Sequence, residues 1–345
     1  MPEDINKNKT ISDVAISCRV RLARNLSNTP FPARMNKPDS AKVAQLVKDA
    51  VKSSSDEVLK NLMYVDMQQL NPVDRQLLLE KHLISLEFIA EEQKEKAAFI
   101  SKDEKVSIMV NEEDHLRLQC IYPGMQLEEA WALCSSLDAQ LDEKLDFAFD
   151  KEFGYLTCCP TNIGTGIRAS IMLHLPALAM TGYINNVLEA CSKLGVAVRG
   201  IYGEKSEASG NMFQISNQVT LGQNEKEIIA SVNNIARQII DQERAIRTKL
   251  YRQNPAKLED RVFRSLGIFL NARILNTEEC FKLLSDVRLG IDMGIIKNID
   301  IDVINELMLL LQPAHLQKIA GRVLGTEERD IARADFVRKR LGGLE

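Results

Sequence analysis

The sequence predicts an α/β or α+β body followed by a helical module of roughly 90 residues, each within the usual size range of a domain. Three observations carry this. Short strand-like alternations are mixed with helical patterns up to about residue 250, the remainder reads almost wholly helical, and Gln253-Asn254-Pro255 forms a seam between them, because Pro255 biases Asn254 away from helix. With 345 residues, 45% apolar and 27% charged, the chain is too long for one ordinary core and too apolar for disorder. The expected domains are 1–252 and 255–345.

Composition narrows the function. Forty-four Lys and Arg against 48 Asp and Glu leave a formal charge of −4, so the molecule as a whole offers nucleic acid no attraction and no nucleic-acid partner is expected. The start, MPEDINKNKT, lacks the basic-then-apolar layout of a secretory signal. The longest apolar stretch, near Ile171 to Met180, is too short for a bilayer. Seven cysteines, an odd number with Cys158 and Cys159 adjacent, do not form a disulfide framework, and no CxxC or HExxH offers a metal its usual spacing. The expectation is a cytoplasmic protein with no membrane partner and no metal ligands of its own.

In Ile16-Ser17-Cys18-Arg19-Val20-Arg21-Leu22 apolar and polar residues alternate. A strand here turns Ile16, Cys18, Val20 and Leu22 to one face and Ser17, Arg19 and Arg21 to the other, with the arginines roughly 7 Å apart. Guanidiniums that close repel unless an anion lies between them. His82 falls in a helical pattern around Leu77 to Phe88, where a histidine is ordinarily a satisfied side chain. Lys105–Val110 and Leu116–Cys120 read as strands joined by Asn111-Glu112-Glu113-Asp114-His115, a hairpin with an acidic tip and Arg117 beside it. A wet turn is the plainer explanation of such a tip.

Tyr155 to Cys159 reads as a further strand, ending at Pro160 before a glycine-rich run. There Gly164, Gly166 and Ala169 formally satisfy GxGxxA, with Glu189 twenty residues on, so a nicotinamide-binding fold is a rival. No GxxxxGK[ST] is present, so any nucleotide phosphates must be held by arginine side chains rather than by a glycine cradle. Cys159, before Pro160, is placed for an exposed thiol, whereas Cys158 points the other way and is expected to be buried. Val196–Gly200 is a strand carrying Arg199. The polar segment Ile201 to Gly210 reads as a loop able to fold over a substrate with Glu204 or Glu207, and Met212–Val219 resumes as strand. Lys226–Arg252 gathers its isoleucines on one helical face. Past the seam, short helices are punctuated by Gly290, Gly294, Pro313 and Gly325. Thr326 is placed to cap a last helix on which Arg329 and Arg333 fall four apart, a like-charge pair that an anion would relieve.

Taken together, SCRVR, NEEDHLR, LTCCPTNIGTGIRAS and RGIYGEKSEASGNMFQISN resemble, in the same order, the catalytic domain of the phosphagen (guanidino) kinases, over roughly residues 15 to 250. The resemblance implies an antiparallel α+β sheet flanked by helices and a smaller all-α domain after it. It implies ATP with Mg²⁺, the nucleotide gripped by Arg19, Arg21, Arg117, Arg168 and Arg199. Further nucleotide contacts would fall at Ser17, Cys18 and Val20, at His82, at Ala169, Ser170, Ile171 and Met172, and at Gly200, Ile201, Tyr202, Gly203 and Glu204. Glu113 would hold the acceptor guanidinium, with Glu112 beside it, Cys159 against it, and Glu207 or Glu204 as the loop carboxylate.

Ser17 stands near the start of the chain, so the closing lid of the small-guanidine kinases is expected to be absent, and a helical module is added instead. That pattern is similar to the bacterial protein arginine kinases, whose acceptor is an arginine within another protein. Arg329, Asp330, Arg333 and Ala334 resemble their RDxxRA element, which implies a second, phosphoarginine-binding site. The same resemblance implies protein substrates, a zinc-binding activator protein, transcriptional repressors, the Clp machinery, and self-association as a homo-oligomer. The rivals are a kinase for free arginine, a non-catalytic phosphoarginine-recognition module, and the nicotinamide enzyme.

Overall fold

A computed structural model describes residues 13–90, 94–200 and 209–342. Ten strands appear among them: β1 Ala15–Arg24, β2 Met63–Asp66, β3 Ala97–Ile100, β4 Val106–Val110, β5 Leu116–Pro123, β6 Phe149–Asp150, β7 Gly154–Tyr155, β8 Ile167–His174, β9 Val196–Gly200 and β10 Met212–Asn217. All but β6 and β7 form one sheet in the order β2-β3-β4-β5-β1-β8-β10-β9, and every neighbouring pair is antiparallel. This settles the fold as α+β. The GxGxxA run leads into β8, a strand and not a helix, so it lacks the phosphate-binding helix start that the nicotinamide rival requires.

Period-two alternation decides the two faces. Cys18, Val20 and Leu22 are fully buried on one face, where Leu116, Leu118, Cys120, Ala169, Ile171 and Ile215 join them. Helices Leu127–Asp142 and Glu225–Gln253 pack there. The second begins at a capping box in which Asn224 Oδ1 accepts the Glu227 N–H (2.9 Å) and Glu227 the Asn224 N–H (3.2 Å). Its buried face is Ile228, Ile229, Val232, Ala236, Ile239 and Ile240. On the opposite face, described residues between 67 and 90 cover only the β3–β4 end, where Met67, Leu83, Ile84 and Phe88 pack on Ala98, Ile100 and Met109. The centre of that face stays open.

Helix Glu225–Gln253 ends at Asn254, and helix Pro255–Asn271 starts there, with Asn254 Oδ1 accepting the Lys257 N–H at 3.1 Å. From this point the helices enclose a separate apolar core of Val262, Phe269, Leu284, Val287, Leu307 and Val337. The two bodies meet through buried polar contacts. His174 Nε2 and Asn211 Nδ2 both lie 2.8 Å from Ser285 Oγ, and Glu80 meets His315. No helix among the described residues is long and apolar enough to cross a membrane.

Several local expectations need correction. Tyr155 to Cys159 is no strand: pairing stops at Tyr155, and a short 3-10 turn starts at Pro160. Ile16 sits at a register shift and is only partly covered. His82 follows helix Pro72–Glu80 in a left-handed turn with φ 58°, not in a helix. Cys158 is half-buried. Thr326 is the first helical residue and not the cap. Glu328 accepts the Gly325 N–H at 2.8 Å instead, and Thr326 Oγ1 accepts from Arg329 at 3.2 Å.

Candidate active site

Three adjacent central strands build a cationic floor on the open face. Arg21 in β1 stands opposite Arg168 in β8 and Gln119 in β5; Arg19 stands opposite Ser170; Arg117 stands opposite Ala23, next along the same face. Arg199 in β9 is opposite Gln214, which is opposite Met172, which is opposite Ser17. Paired residues in antiparallel strands point the same way, so all five arginines share one face. Cys18, Val20, Ala169 and Ile171, also expected at the nucleotide, turn their side chains into the core. Only the alternate residues of those runs reach the open face.

The floor is crowded with like charge. Enclosure by protein and the neighbouring Arg117 and Arg168 pull the Arg19 guanidinium down to about 10. Arg21 falls well below its ordinary value by enclosure and by Arg19, Arg117 and Arg168, with Glu112 opposing. Arg168 is lowered by enclosure and then by Arg199 and Arg117, against Cys159 and Glu113. Arg19 reaches Gln214 Oε1 and Arg168 the Asn217 carbonyl, each at 3.4 Å, and Arg21 Nε is buried with no partner among the described residues. Such an arrangement suits an anion with many oxygens. His82 borders it. It is an exposed residue, placed near the Arg19 guanidinium.

The acidic hairpin tip divides its work residue by residue. Asn111 takes the left-handed turn (φ 62°) and donates to the carbonyls of Ser40 (2.9 Å) and Glu95 (2.7 Å). Glu112, with its side chain 2% exposed, accepts from Arg117 and from Ser85 Oγ at 2.5 Å. Glu113 is left open, its side chain 41% exposed and 3.6 Å from Arg117. Enclosure raises its carboxyl above the usual carboxylate range, against the pull of Arg117. Asp114 accepts from Asn25 Nδ2 (2.6 Å) and from the Cys158 N–H (2.7 Å), tying the tip to the end of β1 and to the cysteine loop. In that loop Cys159 Sγ lies 3.0 Å from Thr161 Oγ1, and the Cys158 thiol is pushed up to about 12 by enclosure and Asp114.

The structure thus brings Ser17, Arg19, Arg21, Arg117, Arg168, Ser170, Met172 and Arg199 to one face, with Glu112, Glu113, Cys159 and His82 at its border. Gly200 ends β9 beside them. Ile201, Tyr202, Gly203, Glu204 and Glu207 lie outside the described residues. Sequence reasoning missed Ser85, Gln119, Gln214 and Asp114. Register would have found Gln119, which faces Arg21, but nothing in the sequence joins Ser85 to Glu112.

The second expected site is split by burial. Arg329 is half-buried, whereas Arg333 is 1% exposed and donates to the carbonyls of Leu311 (2.9 Å) and Leu275 (2.6 Å), to Thr277 Oγ1 (3.0 Å) and to Asp330 (2.6 Å). Ala334 lies in the helical core. No group of three or more His, Cys, Asp or Glu that could hold a metal ion occurs among the described residues.

Comparison with known proteins gives two family matches. Residues 42–246 match the ATP:guanido phosphotransferase C-terminal catalytic domain, and residues 255–345 match the protein-arginine kinase McsB C-terminal domain. The chain is 52% identical over 333 residues to a protein-arginine kinase of Moorella thermoacetica, covering 96% of this chain and 95% of that one. It is 47% identical over 330 residues to a protein-arginine kinase of Bacillus pumilus, covering 96% and 90%. Among solved structures, a duplicated taurocyamine kinase from Schistosoma mansoni with bound transition-state-analogue components aligns with a TM-score of 0.61 at 26% identity, over 67% of this chain and 33% of that chain. A lombricine kinase aligns with a TM-score of 0.61 at 22% identity, over 69% of each, and speaks for the fold alone.

Proposed function

The chain belongs to the ATP:guanido phosphotransferase family, on its protein-arginine kinase branch, and from that premise we propose how its cleft passes the γ-phosphoryl group of ATP to arginine side chains of proteins. The observation that carries the reading is the set of five arginines on one sheet face, bordered by an open glutamate and a cysteine. Phosphoryl transfer needs position and charge compensation more than covalent chemistry from the protein. Arg19, Arg21, Arg117, Arg168 and Arg199 hold the triphosphate; Mg²⁺ bound with the nucleotide would supply additional positive charge. Ser17, Ser170, Met172, His82 and Gly200 border the nucleotide, and Ile201 to Glu204 complete its contacts.

Glu113 grips the acceptor guanidinium and directs one terminal nitrogen at the γ-phosphorus. An arginine stays protonated at neutral pH, so that nitrogen loses a proton as the N–P bond forms and the bond to the β-γ bridging oxygen breaks. Glu113, with its raised carboxyl, or the loop carboxylate at Glu204 or Glu207, receives the proton. Glu112 acts by fixing Arg117. Cys159 places its sulfur against the guanidinium. Incubation with labelled ATP and either free arginine or a mixed protein acceptor tests this, since acid-labile label on protein is expected. Label on free arginine alone would overturn it.

In this reading residues 1–252 catalyse and 255–345 form a regulatory module. Asp330, steadied by Arg333, offers a fixed carboxylate to a guanidinium, and Arg329 beside it offers a cation to its phosphoryl group. Arg329→Ala is expected to weaken phosphoarginine binding by about tenfold or more, measured by calorimetry, with basal turnover kept. Regulation or Clp-type degradation of marked proteins, a zinc-binding activator, transcriptional repressors, self-association and a cytoplasmic setting complete the proposal on the strength of the family resemblance. Co-purification from the host tests these partners.

A further inference from the structure

The helical module holds the catalytic body at a residue with no role so far. Glu80 closes helix Pro72–Glu80 and is 4% exposed. Its carboxylate accepts the N–H groups of Ala314 (2.8 Å) and His315 (3.1 Å), the free donors at the start of helix Pro313–Ala320. Oε2 also lies 2.8 Å from His315 Nδ1, which must carry its proton to bond there. Along the same two helices Lys318 pairs with Asp74 at 2.8 Å.

Two residues after Glu80 the chain makes the left-handed turn at His82. A non-glycine residue keeps that conformation only where its surroundings impose it. On the sheet side the imposing group is Gln119, whose Nε2 donates to the carbonyls of His82 (2.8 Å) and Leu83 (3.0 Å), while Ser107 Oγ donates to Leu83 O at 2.6 Å. Gln119 is the residue facing Arg21. On the other side the turn is closed by the helix itself, His82 N donating to Leu79 O (2.8 Å) and Leu83 N to Leu78 O (3.0 Å), and Glu80 ties that last helical turn to the module.

We propose that Glu80, paired with His315, is a positioning residue for ATP: it holds the turn that aims His82 at the nucleotide across the arginine floor. This rests on the reading that the floor binds ATP and that His82 borders it. The helical module thereby sets nucleotide affinity from a distance, through one carboxylate.

The test uses the full chain and measures KM for ATP and for a protein acceptor separately. Glu80→Ala and His315→Ala are expected to raise KM for ATP about fivefold or more while leaving KM for the acceptor within about twofold. Glu80→Gln keeps one of the two accepting oxygens and turns an amide NH₂ toward the remaining donors, so it restores only part of the affinity. Adding Glu80→Ala to His82→Ala adds little, because both act on one side chain. If His82→Ala raises KM for ATP but Glu80→Ala and His315→Ala do not, or if they change both KM values alike, the positioning role is wrong and the ATP reading stands. If His82→Ala leaves KM for ATP unchanged, the reading of His82 fails and this proposal fails with it. Should Glu80→Ala not fold, His315→Ala alone carries the comparison.

Discussion

Glu112 and Glu113 are adjacent in sequence and opposite in circumstance. One is enclosed and held by Arg117 and Ser85; the other keeps an open carboxylate with a raised affinity for protons. Glu113→Gln preserves shape and removes charge and basicity. Turnover is expected to fall by about 10²–10⁴ with ATP affinity kept, read from single-turnover rates and nucleotide titration. At this scale the sequence showed which residue types matter and concealed their partners. Arg333 illustrates the limit: four residues after Arg329 it reads as the second half of an exposed pair, yet Leu275, Thr277 and Leu311, from elsewhere in the helical core, supply its acceptors.

At the level of elements, alternation exposed the sheet plainly. The Ser17 to Leu22 pattern fixed both faces of β1, and the β4–β5 hairpin follows from two alternating runs around an acidic turn. The His82 turn was misread as helix because the helix stops there in a left-handed C-terminal turn, Leu83 N donating to Leu78 O at 3.0 Å, that a non-glycine residue holds with the help of Gln119 from a distant strand. Helix Thr277–Asp292 offers a sharper check. A Cβ on Gly290 would lie 2.3 Å from Val262 Cγ1 and 3.0 Å from Ile296 Cδ1. Although alanine is the better helix former by about 1 kcal/mol, Gly290→Ala is expected to destabilise the helical body by about 1–3 kcal/mol through overpacking. Amide exchange across residues 258–341 would show it as faster opening there.

For the whole molecule, buried histidines link stability to pH. Leu26 N donates to His115 Nδ1 at 2.9 Å, so Nε2 carries the proton toward the Pro30 carbonyl at 3.0 Å, and the ring is held neutral down to about 4. Burial, with Arg247 and Arg288 nearby, likewise pulls the His174 imidazole well below its ordinary value. Unfolded imidazoles take up protons near their ordinary 6.5, so the stability from these groups is complete above that value and is lost as pH falls from there toward 4. Asp292, pushed up to about 6 by enclosure, works in the other direction and offsets part of the loss. The urea midpoint is expected to drop between pH 7 and 5.5, and to drop less in a His115→Gln variant that folds.

Asn254 ends one long helix and begins the next, so a single residue joins catalytic and helical bodies. There is no leash. A weight placed on the terminal helix cannot be absorbed by slack chain. It must either bend the joint or travel through the packed seam, as force passes along a bracket bolted at both ends.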